Sequence, residues 1–176
     1  TEPGVLFTDG EADRGDGLEA LAEDGSPSAL DSALEGYMGV LDHGVFNTPV
    51  GMSESGTAAP GETYEFSFVA SPGAYLSFAT MSVQTNDLFY APDGAGIPLF
   101  DADLRAVRGD ITDQISLWDA GTEVNQAPGE GADQGARQAA PNTGADEGGV
   151  VQIVNDGFTY PDTADAIRVT ITIDEQ

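Results

Sequence analysis

The clearest pattern lies at the end of the chain, where Ile167, Val169, Ile171 and Ile173 alternate with Arg168, Thr170, Thr172 and Asp174. A period of two places the aliphatic residues on one face of a strand. The same period runs through Tyr64, Phe66 and Phe68, set between Thr63, Glu65 and Ser67, and predicts a strand with one buried face that ends at the Ser71-Pro72-Gly73 turn. The run LSFATMSVQ at 76–84 is apolar on both faces, with Leu76 and Phe78 opposite Ala79, Met81 and Val83, as expected of one central strand. A further short strand is expected to end at Trp118. Helical spacing is confined to the first fifty residues. Asp16-Gly17-Leu18-Glu19 reads as a capping box opening a helix of about two turns. Ser26-Pro27 reads as a cap with proline in the first helical position, followed by Leu30, Ala33, Leu34 and Tyr37 at helical spacing, with Gly36 and Gly39 ending the helix.

Short strands separated by Gly, Pro and Asp turns predict an all-β fold, an antiparallel β-sandwich with a helical insertion beside it. The expectation is one domain over 1–176: loops and short helices over 1–50 packed on the sandwich, and the main sandwich over 61–176 with a long loop at 119–149. Between Asp119 and Gly149 runs a stretch rich in Gly, Pro, Ala and Asn with few apolar anchors. A loop of that length inside a compact domain is usually either functional or mobile.

Charge changes the picture. The chain carries 31 acidic residues against five arginines and no lysine, a net charge of -26. Such a surface repels itself at low ionic strength. In molar salt the Debye length falls to roughly 3 Å and the repulsion is screened. With 40% hydrophobic residues and the acids spread along the chain, the composition is that of a folded halophilic protein, not an acidic disordered tail. Nucleic acid is a poor partner for it, since phosphate binding needs clustered Lys or Arg. No cysteine is present and no apolar run reaches the 18 or so residues of a membrane span, so thiol chemistry and direct membrane insertion are not expected.

Several segments together resemble the spondin domain: LFTDGEADRGDGLEALAEDG (6–25), GVFNTPVG (44–51), LSFATMSVQTNDLFYAPD (76–93), WDAGTEVNQAPG (118–129) and DGFTYPDTADAIRVTITI (156–173). They cover about half the chain, in order. The most diagnostic pieces are the run ending in Asn86-Asp87 and the turn Trp118-Asp119-Ala120-Gly121-Thr122, which are similar to pieces of the animal F-spondin and mindin domains. The resemblance implies an antiparallel β-sandwich, a bound divalent cation and extracellular adhesion. It carries the cation's ligands onto Asp87 and Asp119, with a strand glutamate for which Glu65 is the better match and Glu62 the rival. Two features depart from the family: the animal domains carry cysteines, and members usually have a strand before the segment corresponding to Thr1. That strand is expected either to be removed here or to come from elsewhere.

Calcium suits these positions chemically, because it takes six to eight oxygens from carboxylates, carbonyls and water on backbone free to curl around it. Asp87 closes a strand with Asp93-Gly94 beyond it, and Asp119 precedes Ala120-Gly121. Other chemistries have less to work with. His43 is the single histidine, so a transition-metal site or a catalytic triad would have to be built on it, and Asp42 and Gly44 around it predict a solvated turn. Trp118 reads as core and not as a sugar platform, Phe89-Tyr90 as the closure of the core, and Arg137 as a surface arginine neutralising acids such as Asp133. With the resemblance, the sequence is read as a non-catalytic, secreted or cell-surface adhesion module. The resemblance implies a structural Ca2+ held by Glu65, Asp87 and Asp119, and an extracellular or cell-surface protein or glycan is the expected partner. The alternative is a structural subunit of a surface filament or sheet that self-associates by β-strand donation.

Overall fold

The structure, a computed structural model, describes residues 4–173. The first helix, α1, covers Leu18–Asp24, but its cap differs from the capping-box expectation. Gly17 occupies the N-cap with φ 113°, and no side chain caps the helix. Close packing explains the glycine: a Cβ there would sit 2.4 Å from the Leu30 backbone nitrogen. Leu18 and Ala22, one turn apart, face the core. At the other end Gly25, in the left-handed region, returns its N–H to the Ala20 and Leu21 carbonyls. Helix α2 covers Ser28–Leu34, with Pro27 at the N-cap and Glu35 at the C-cap, so it begins one residue later than expected and leaves Tyr37 outside.

Eight short strands follow: β1 Tyr75–Leu76, β2 Thr80–Met81, β3 Leu88–Ala91, β4 Ile97–Pro98, β5 Gly109–Asp110, β6 Ser116–Asp119, β7 Gln152–Ile153 and β8 Thr170–Ile171, with a helical turn, α3, at Thr163–Ala166. All pairings are antiparallel. The central sheet has the order β2-β3-β6-β7, and β1-β4 and β5-β8 form two ladders beside it. Its backbone is the β3–β6 pair, in register Leu88 opposite Asp119, Phe89 opposite Trp118 and Tyr90 opposite Leu117. The chain is thus β-rich and antiparallel with few helices, and none of its described helices is long and apolar enough to cross a membrane.

Both faces of the β3–β6 pair are covered, which is why every residue of β3 is buried. On one face Phe89, Ala91 and Trp118 pack with Leu6, Phe7, Leu18, Ala22 and Leu30. The helices therefore cover this face of the sheet. On the other face Leu88, Tyr90 and Leu117 pack with Phe78, Ile97, Ile111 and Ile115. Trp118 and Phe89-Tyr90 are core residues, as their sequence context predicts, and the Trp118 indole N–H donates to the Ala91 carbonyl at 3.1 Å.

Three strand expectations need correction. The run 76–84 is not one strand: Leu76 pairs with β4, and the chain then leaves that ladder to join β3 at Thr80. Its two apolar faces serve two different clusters, Phe78 in one and Ala79 in the other. Residues 63–70 form no ladder with any described residue, and Glu65 lies on this exposed segment. The period of two still sets the aromatic side: Phe66 stacks on Phe46 at 4.9 Å between centroids and on Phe68 at 6.0 Å. The C-terminal strand is confined to Thr170–Ile171, paired with β5, and Asp174 lies outside the described residues.

Candidate metal centre

The β3–β6 ladder brings Asp87 and Asp119 together. Asp119 is the last residue of β6, opposite Leu88, and Ala120 continues the ladder by donating its N–H to the Asp87 carbonyl at 3.2 Å. The chain then turns at Gly121, whose φ of 69° and whose approach to Val150 exclude a side chain: a Cβ would fall 2.5 Å from the Val150 nitrogen. Beyond the turn the β6–β7 pairing continues irregularly, with the Glu147 N–H donating to the Thr122 carbonyl at 2.9 Å and the Gly149 N–H to the Gly121 carbonyl at 2.8 Å. That extension delivers Glu147. One carboxylate oxygen from each of Asp87, Asp119 and Glu147 lies within 4.8 Å of the others.

Both aspartates are anchored by hydrogen bonds, and Asp87 keeps one oxygen without a partner. Asp87 is fully buried. Its Oδ2 accepts the backbone N–H groups of Thr122 at 3.1 Å and Glu123 at 3.0 Å, while its Oδ1 is buried without a partner. Asp119 Oδ1 accepts the Gly121 N–H at 2.7 Å, and its Oδ2 accepts the Asn125 amide at 2.7 Å. That same amide leaves its oxygen, Asn125 Oδ1, buried and unpartnered. Glu147 is exposed and forms the solvent side of the cluster.

No arginine, Arg108 included, forms an ion pair with these three carboxylates among the described residues. Arg14 is bonded to the Gly4 carbonyl and Thr8, Arg105 pairs with Asp103, and Arg168 pairs with Asp110. Arg137 is exposed and bonds Gln134 and Gln84, and makes no ion pair with Asp133 among the described residues. Burial, with the neighbouring charges of Asp119 and Glu147, pushes the Asp87 carboxyl up to about 7, against the pull of the Glu123 and Thr122 N–H groups. Asp119 and Glu147 are raised for the same first reason, and Asp156 adds repulsion to both. Carboxyls this close share a proton unless a cation lies between them. A hard cation fits the donor set, which is all oxygen, partly desolvated, and includes a buried carboxylate oxygen with nothing to bond.

The sequence-derived ligands are thus placed unequally. Asp87 and Asp119 meet, whereas Glu65 lies on the exposed 63–70 segment outside the cluster, and Glu147 stands in the third position. The rival Glu62 caps its own turn by accepting the Ala59 N–H at 2.8 Å. Asp93 lies past the opposite end of β3, where it accepts the Ala95 N–H. His43 pairs with Asp31 at 2.8 Å on an exposed segment. No family model matches the chain, and no curated protein or solved structure is significantly similar to it.

Proposed function

We propose that this chain is a non-catalytic, spondin-type binding module of the surface of a salt-loving cell, in which a calcium ion at Asp87, Asp119 and Glu147 holds one end of the fold in shape. The observation that carries the reading is Asp87 Oδ1: a buried, unpartnered carboxylate oxygen beside two further carboxylates, with no arginine bonded to any of them among the described residues. Leaving such an atom uncompensated costs on the order of 1–3 kcal/mol or more, and a bound cation removes that cost. The ion would tie together the start of β3, the end of β6 and the far limb of the 119–149 loop, and so fix the surface those loops present to a protein or glycan partner. Thermal unfolding in about 2 M KCl, with and without a chelator, tests it. Chelation should lower the midpoint, and calcium should restore it fully in wild type but only in part in Asp119→Ala. An unchanged midpoint in wild type would sink the proposal.

A second reading is favoured by the 63–70 segment, which forms no ladder with described residues and carries half-exposed Phe66 and Phe68. Backbone left unpaired in this way can accept an added strand. In this reading the donor is a second copy of the chain and the protein is a building block of a surface assembly. Sedimentation in molar salt separates the readings, since a strand-donated subunit associates and a module that stays monomeric at all concentrations does not.

A further inference from the structure

Thr122 stands between two buried acids. Its hydroxyl donates to Glu23 Oε1 at 2.9 Å and lies 3.4 Å from Asp87 Oδ2, and one proton cannot serve both oxygens, so the short bond goes to Glu23. Glu23 comes from the last turn of α1 and is 1% exposed, while Glu123, the residue after Thr122, is 3% exposed. Each leaves its Oε2 buried without a partner. Loop 134–144 touches both residues: the Gly144 N–H donates to Glu123 Oε1 at 2.7 Å, and the Gln138 amide reaches the Glu23 main-chain carbonyl at 3.4 Å. The packing is tight. A Cβ at Gly144 would fall 2.1 Å from Glu123 Oε2, and one at Gly135 would fall 2.8 Å from the Glu23 carbonyl oxygen.

Three considerations say that this pair is not a structural pair of carboxylates alone. Each is nearly excluded from water, and an unpaired buried carboxylate is among the most costly groups a fold can carry. Glu23 sits at the C-terminal end of α1, where the helix carbonyls repel negative charge. Neither glutamate is bonded to an arginine among the described residues. We propose that Glu23 and Glu123 form a second cation site, distinct from the Asp87 centre, that takes a hard, oxygen-seeking divalent ion, each glutamate contributing its free Oε2 atom. It does not depend on the first site being filled. Burial and the charge of Glu123 push Glu23 up to about 8, so in the ion-free protein a proton occupies the place of the cation at neutral pH.

The test is equilibrium dialysis of the full chain against calcium in about 2 M KCl at pH 8.5, comparing wild type with Glu23→Gln, Glu123→Gln, Asp119→Ala and, as a surface control of equal charge change, Glu54→Gln. Glutamine copies the neutral form of Glu23, and the near-ultraviolet signal of buried Trp118 reports that each variant is folded. We expect about two specifically bound ions in wild type and in the control, and about one in each of the three other variants. If Glu23→Gln and Glu123→Gln bind as many ions as wild type while Asp119→Ala loses one, the pair holds only a proton and the second site is refuted, with the first left standing. If the two glutamine variants each lose an ion and Asp119→Ala does not, the second site stands and the proposed Asp87 centre fails.

Discussion

Asp87→Asn separates the two jobs that Asp87 performs. Asparagine keeps an oxygen to accept the Thr122 and Glu123 N–H groups but has no charge, so it imitates the protonated aspartate. In the ion-free fold the carboxyl is raised from 3.8 to about 7, and at about 1.36 kcal/mol per unit that makes its ionised form about 4 kcal/mol worse off folded than unfolded. The sign follows from proton counting. Between about pH 4 and 7 the folded state binds the proton that the unfolded state has released, so the ion-free protein loses stability as pH rises through this window. In chelator at pH 8, Asp87→Asn should therefore be more stable than wild type by up to about 4 kcal/mol, roughly 8–16 °C for a chain of this size. Near pH 4 the difference should vanish. Calcium at about a thousand times its Kd adds about 4 kcal/mol to wild type and nothing at this site to the variant, which brings wild type level with it. Differential scanning calorimetry in about 2 M KCl at the two pH values, with chelator and with calcium, reads all four conditions. A variant destabilised equally in every condition would show that Asp87 serves only as an acceptor for the turn, and would refute the reasoning from its buried charge.

Further expectations follow from the same geometry. Calcium must displace the proton on Asp87, so titration calorimetry should show Kd rising as pH falls from 8 to 5, by about tenfold per unit once below the carboxyl's value of about 7; a flat profile contradicts a site built on this group. Gly121→Ala forces a Cβ onto Val150 at positive φ, and should cost about 2 kcal/mol in unfolding free energy while weakening calcium binding, because this turn positions both Asp119 and the limb carrying Glu147. Trp118→Phe leaves the Ala91 carbonyl without its indole donor and should cost about 1–3 kcal/mol, measured by urea unfolding, with calcium stoichiometry unchanged. With a net charge of -26, the midpoint should climb steeply as KCl is raised from about 0.1 to 2 M, and a midpoint insensitive to salt would remove the halophilic reading.

Two of the three carboxylates of the candidate site were legible because they lie at strand ends. Asp87 and Asp119 each flank a short apolar strand, and pairing those strands makes them neighbours whatever the loops do. Glu147 had no comparable signal. It arrives from the far limb of a Gly-rich loop, and only the irregular continuation of the β6–β7 pairing past Gly121 brings it back. Glu23 and Glu123 were hidden for a different reason: among 31 acids, nothing in spacing marks the ones that fold inward, and α1 buries Glu23 because its neighbour Ala22 and the more distant Leu18 set the helix against the sheet. The strands show the limit of periodicity. Tyr64, Phe66 and Phe68 do share a side, yet a period of two says which way side chains point and not whether a neighbouring strand exists to pair with. Likewise the doubly apolar run 76–84 looked like one central strand because it crosses between two ladders, feeding a core cluster from each.

The central claim is that a cation lies among Asp87, Asp119 and Glu147, and the most direct measurement is a crystal structure of the chain grown in molar salt with calcium, using anomalous scattering to identify the ion. The account predicts an anomalous peak about 2.3–2.6 Å from an oxygen of each carboxylate, with Asp87 Oδ1 among the ligands. An Asp87 Oδ1 bonded to a water or sharing a proton with Asp119, with no anomalous peak between them, would contradict it.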